Sequence, residues 1–111
     1  MTTDEVLLEV SEERTRQETL KEQGKFVFTC ADKGLSEAEK LAVLAEEFGE
    51  VSKETVELII NLAKVMKFRM TNDARSGAIE EAIKEYKVKA RKELIQVAAV
   101  AVAWVEALSE P

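Results

Sequence analysis

Apolar residues recur along this chain at intervals of three and four, the spacing that keeps side chains on one face of an α-helix. From Thr3 to about Glu22 the chain is highly charged, and its few apolar points are Val6, Leu7, Val10 and Leu20. That pattern predicts a mostly solvated helix laid against another element. Residues 24–35 interrupt it, with Gly24 and Gly34 near the ends and Phe26, Val27 and Phe28 between them. They predict a loop with an apolar anchor, or a short extended piece. Ser36 then opens a second helix, because Ser36 and Glu39 have the Ser-x-x-Glu spacing of a capping box. Leu41, Leu44, Phe48, Val51, Thr55, Leu58, Leu62, Val65 and Arg69 form its stripe, which runs to about Met70. Thr71, Asn72 and Asp73 predict a turn, with Asn72 or Asp73 capping the helix that follows.

The third helix is predicted from about Ala74 to about Leu108, with Ile79, Ile83, Tyr86, Ala90, Glu93, Val97, Val100 and Trp104 on its stripe. From Val97 onward it is apolar on nearly every face. A helix that is hydrophobic all round must be covered all round, and 111 residues cannot do that with three helices. The expected fold is therefore all-α, a single domain over residues 1–111. It is a helical bundle built on a long antiparallel helix hairpin plus an N-terminal helix, completed by oligomerisation as a homodimer or homotetramer.

Composition narrows the chemistry. The chain has 22 acidic and 16 basic residues and a net charge of −6, which repels a polyphosphate backbone, so no nucleic-acid partner is expected. Histidine is absent, which excludes imidazole catalysis and histidine-ligated zinc. Cys30 is the only cysteine, so it forms neither an intrachain disulfide nor a thiolate cluster, and it reads as a partly buried thiol in a reducing compartment. Residues 1–10 carry acidic and no basic side chains, the reverse of a signal peptide. The longest apolar stretch, 97–105, is about half of the ~20 residues needed to span a bilayer. A cytoplasmic location without membrane association is expected.

Glu93 breaks the logic of a plain bundle, because it sits on the apolar stripe itself. Burying an ionised carboxylate without a partner costs several kcal/mol. On the second helix, Glu46, Glu47 and Glu50 crowd one turn, with Glu47 and Glu50 on one face. If the hairpin turns near Thr71 and Asn72, Glu50 faces Glu93 and Glu47 faces Gln96, each pair about 32 Å from the turn at 1.5 Å per residue. Like charges that close cannot all stay ionised in a dry site. A hard divalent cation, magnesium or manganese, resolves the conflict, with Glu47, Glu50, Glu93 and Gln96 as its expected ligands. The alternatives are a solvated acidic face, or neutralisation of these carboxylates by Lys89, Arg91 or Lys92.

These residues resemble the MazG-like branch of the all-α nucleoside triphosphate pyrophosphohydrolases. That family's mark is Glu-Glu-x-x-Glu on one helix and Glu-x-x-Asp on the next. Here the first half reads Glu46-Glu47-Phe48-Gly49-Glu50 and the second Glu93-Leu94-Ile95-Gln96, with glutamine in place of the aspartate. The 42 residues between Glu50 and Glu93 exceed the usual gap, and equal lengthening of both helices preserves the register. Glu13-Arg14-Thr15-Arg16-Gln17 is similar to the Arg- and Gln-bearing first helix of such proteins. The resemblance implies magnesium-dependent hydrolysis of a (deoxy)nucleoside triphosphate to monophosphate and pyrophosphate. Glu46 or Glu50 would then accept the proton of the attacking water. Arg14, Arg16, Lys89, Arg91 and Lys92 are the candidate substrate-binding cations. Trp104, on an apolar stripe, reads as a core residue rather than a base-stacking one. A nucleotide-binding protein of this fold without turnover, and a helical interaction module without metal, are the competing readings.

Overall fold

Side-chain caps start the first two helices of the chain, and the computed structural model places those starts where the sequence does. It describes residues 1–69 and 76–109, which form α1 (Thr3–Glu22), α2 (Glu37–Arg69) and α3 (Ser76–Ser109). The expected turn at Thr71, Asn72 and Asp73 and the expected helix ends Met70 and Ala74 lie outside the described residues. Thr2 caps α1 by accepting the Glu5 N–H at 3.2 Å. Ser36 and Glu39 form the reciprocal capping box of α2: the Ser36 hydroxyl accepts the Glu39 N–H at 3.1 Å, and Glu39 Oε1 accepts the Ser36 N–H at 3.3 Å. Gly24 ends α1 in the left-handed region at φ 75°, its N–H bonded to the Lys21 carbonyl at 3.0 Å. Lys25 donates to the Leu20 carbonyl at 2.8 Å, which completes a Schellman motif.

The two long helices pack as an antiparallel hairpin. The Thr55 hydroxyl meets the Tyr86 hydroxyl at 3.3 Å, a pairing within two positions of the expected register. On α3 the expected stripe faces inward: Ala90 and Val100 are buried, and Ile79, Ile83, Tyr86, Glu93, Val97 and Trp104 are half-buried. On α2 the stripe needs correction. Its inner seam is Lys40, Leu44, Glu47, Val51, Thr55, Leu58 and Leu62, while Leu41 and Phe48 are exposed. The seam is turned by about one residue, 100° of helix, from the expected one. Phe48 therefore points outward and its neighbour Glu47 points into the hairpin.

Alanines let the helices approach closely. Ala99 and Ala103 are fully covered, and Cys30, Val100 and Ala103 form a buried cluster packed on by Val43, Leu44 and Trp104. Trp104 is thus a supporting core residue, with its Nε1 donating to Glu37 Oε2 at 2.6 Å. No large side chain among the described residues is completely buried, and Leu41, Phe48, Ile59 and Met66 stay exposed on α2, as do Val102, Val105 and Leu108 on α3. Among the described residues no helix is long and apolar enough to cross a membrane.

Helix α1 lies against α3 and makes no comparable packing with α2. Val10 is its buried apolar residue, and charge supplies the rest. Arg14 is buried against α3, with Nη2 2.8 Å from Glu106 Oε2 and 2.5 Å from Glu18 Oε1. Burial opposes the charge on Arg14, but its bonds to Glu106 and Glu18 outweigh that, so the guanidinium holds its proton more tightly than usual. Arg91 of α3 pairs with Glu9 of α1. An exposed ion pair contributes under about 1 kcal/mol and breaking a buried one costs about 3–5. Arg14 is buried and its partners are partly exposed, so Arg14→Ala is expected to cost about 2 kcal/mol in urea unfolding. A change below about 0.5 kcal/mol would show that the pair does not hold α1.

Candidate functional site

Two acidic side chains share the inner seam of the hairpin, Glu47 from α2 and Glu93 from α3, both half-buried. Gln96, one turn beyond Glu93 on the same face, reaches both. With its amide turned so that the NH2 faces the carboxylates, it donates to Glu93 Oε2 at 3.1 Å and to Glu47 Oε2 at 3.3 Å. The opposite orientation would aim its carbonyl oxygen at acceptors, so the network selects the donor. No lysine or arginine forms an ion pair with Glu47 or Glu93 among the described residues. The expected facing of Glu47 and Gln96 is present. Glu50 is exposed and forms no hydrogen bond or ion pair among the described residues.

Burial raises the pKa of the Glu47 carboxyl, and the charges of Glu93, Glu46, Glu50 and Glu13 raise it further. This is an acidic locus concentrated on one buried group. Arg16 adds a positive field beside it, although its guanidinium is engaged with Glu13 at 2.6 Å.

Because α1 leans on α3 alone, a gap opens between α1 and α2, and the loop after α1 closes one side of it. The result is a cleft of about 360 Å³, at the lower end of the range typical of small-molecule sites. Glu13, Arg16 and Gln17 of α1, Val43, Glu46 and Glu47 of α2, and Gln96 and Val100 of α3 line it, together with residues 25–30 of the loop. Thus Glu46, Glu47, Gln96 and Arg16 of the expected site share one cavity, with Glu93 joined through Gln96.

The other expected cations lie elsewhere. Arg14 is engaged in the buried pairing with Glu106 and Glu18. Lys89 is exposed beside Glu54, Glu57 and Glu85 on a separate part of the hairpin. Arg91 and Lys92 border a groove between α1 and α3, where Arg91 is held by Glu9. Helical rotation separates them from Glu93 although they precede it directly: one residue back is 100° around the axis. Lys25, Gln17, Phe26 and Phe28 line the cleft instead, and none of them stood out as a site residue from the sequence. The apolar anchor expected of the loop is also corrected: Phe26, Val27 and Phe28 are exposed, and Thr29, Cys30 and Leu35 are the residues that plug inward. Burial pushes the Cys30 thiol up, which disfavours a thiolate.

The donor set can be compared with what a hard cation requires. Among the described residues no three histidine, cysteine, aspartate or glutamate side chains stand together in a metal-binding group, so the expected trio of Glu47, Glu50 and Glu93 is not assembled. Two carboxylates joined by an amide remain. Magnesium characteristically takes one or two protein carboxylates and completes its shell with water and phosphate oxygens, so this set suits a magnesium–polyphosphate better than a bare ion.

No family model, curated protein or solved structure matches the chain.

A carboxyl whose native pKa is raised binds more protons folded than unfolded between its two pKa values. Stability therefore falls as pH rises through that interval and levels off above it. Glu47→Gln removes this effect. Without metal, the variant should melt higher than the parent at pH 7, and the difference should shrink as the pH falls below the ordinary glutamate value of 4.5. A difference in melting temperature that does not vary with pH would refute the assignment of strain to the Glu47 charge.

Proposed function

We propose that this protein is a divalent-metal-dependent nucleoside triphosphate pyrophosphohydrolase of the MazG-like type. The observation that carries the proposal is the meeting of Glu47, Glu93 and Gln96 on the buried seam of the hairpin, at a cleft also lined by Glu46 and Arg16. Two seam carboxylates without a cationic partner destabilise a bundle that exists only to pack, and they suit a cation that arrives with its substrate.

In this reading Glu47 and Glu93 would hold the divalent ion, with Gln96 orienting both carboxylates until it is bound. A bound magnesium or manganese ion would supply positive charge to the triphosphate oxygens and lower the pKa of a water. Of the two candidate bases, Glu46 lines the cleft and Glu50 does not, which favours Glu46 as the acceptor of the water proton. The water oxygen then bonds to the α-phosphorus, the bond from that phosphorus to the bridging oxygen breaks, and pyrophosphate leaves with the electron pair. Arg16, swung from Glu13, and Lys25 are placed to offset the charge that develops on the phosphates.

The Gln96 contacts also favour a second reading, a helical interaction module, since an amide donating to both carboxylates satisfies them without metal. Activity separates the two. Pyrophosphate release from nucleoside triphosphates with magnesium, reduced at least 100-fold by Glu93→Gln in a variant that retains its helicity, is the expected result. No release across the nucleotide panel, together with no magnesium or manganese binding in calorimetry, would favour the module.

The protein is further proposed to act as a homo-oligomer. Leu41, Phe48, Ile59 and Met66 are exposed at steps of seven and eleven residues, which places them on one face of α2. An apolar face of that length is characteristic of a protein interface. Light scattering should give the mass of a dimer or tetramer, and Phe48→Glu with Ile59→Glu should give 12.4 kDa particles. A monomeric parent protein would end this part of the proposal.

A further inference from the structure

The polyphosphate reading uses the floor of the cleft and leaves its loop wall without a role. Phe26 and Phe28 line that wall while remaining 39% and 42% exposed. The segment that carries them is well anchored. At one end is the Schellman turn at Gly24; at the other the Thr29 N–H donates to Asp32 Oδ2 at 2.9 Å and the Thr29 hydroxyl to Glu18 Oε1 at 2.8 Å. Lys21 of α1 also pairs with Asp32. Two aromatic rings are therefore held at the cleft by a loop fixed on both sides.

A second, independent observation comes from α1. Gln17 lines the same cleft and is only 8% exposed, yet its amide forms no hydrogen bond among the described residues. A covered amide without a partner is costly, and an amide offers a donor and an acceptor side by side. Aromatic side chains beside such an amide match the two chemical features of a nucleobase, a π-face and a polar edge. An apolar side chain from a second copy would cover the rings but leave the amide unpaired.

We infer that Gln17, Phe26 and Phe28 form a nucleobase subsite, the rings stacking on the base and the Gln17 amide reading its hydrogen-bonding edge. This deepens the pyrophosphohydrolase reading and rests on it for the triphosphate, but the base contacts themselves need neither metal nor turnover.

Two probes keep the readings apart: the four common deoxynucleoside 5′-monophosphates without metal, and magnesium tripolyphosphate, which has no base. In NMR titrations at least one monophosphate should bind and shift the resonances of residues 26–28. Phe26→Ala and Phe28→Ala, changes at accessible positions that spare the fold, should each weaken that binding about tenfold, as removal of a base–aromatic stack does. Both variants should bind magnesium tripolyphosphate as the parent does. Gln17→Glu, which leaves acceptors only, should reorder the preference among the four bases rather than weaken all equally. Failure of every monophosphate to bind, or unchanged affinity in both phenylalanine variants, would overturn the subsite. Monophosphate binding without tripolyphosphate binding would support the subsite and count instead against the pyrophosphohydrolase reading.

Discussion

Placing two carboxylates on the seam of a helix hairpin constrains everything around them. Glu47 and Glu93 repel each other across the line where α2 and α3 must approach, so the rest of that line has to hold the helices together. Small residues such as Ala90, Ala99 and Ala103 permit that approach, and Val51, Val100 and the Thr55–Tyr86 contact extend it on both sides of the charged turn. Gln96 is suited to the gap because its NH2 group gives each carboxylate a neutral donor without adding a further charge. An aspartate there would raise the local negative charge and leave both carboxylates dependent on an external cation.

The cleft follows from the same economy of packing. A first helix with one buried apolar residue cannot fill the angle between α2 and α3, so it settles on α3 and leaves space beside α2. Residues of all three helices and the intervening loop face that space, acidic groups at the floor and rings at the wall. Such a cavity is amphipathic by construction, and it offers an elongated ligand different chemistry at its two ends.

Much of this was legible in the residues. The α3 stripe was read correctly because its apolar side is continuous and its one exception, Glu93, lies on the buried seam. The pairing of Glu47 with Gln96 followed from a hairpin whose arms are nearly equal, 33 and 34 residues. The α2 stripe was misread by one position because Leu41 and Phe48 are as apolar as any core residue, and spacing alone does not distinguish a side facing the hairpin from a side facing outward. Arg14 illustrates a different limit. Its charge is evident in the sequence, but its partner Glu106 is 92 residues away, and only the packing of α1 on α3 brings them together. The aromatic loop was read as a plug for the usual reason that phenylalanine prefers burial. The neighbouring Thr29 and Cys30 go inward instead, since hydrogen bonds from Thr29 to Asp32 and Glu18 fix the direction of the chain there.

The attachment of α1 has a physiological side. It is held to its neighbour chiefly by guanidinium–carboxylate contacts, one largely shielded from water and one at the surface, with little oil between. Dissolved ions weaken the second far more than the first, over a Debye length of about 8 Å in cell-like salt. The helix thus pivots on a firm inner bond with a loosely tethered outer end, and the ionic strength of the medium sets how tightly that end is drawn in.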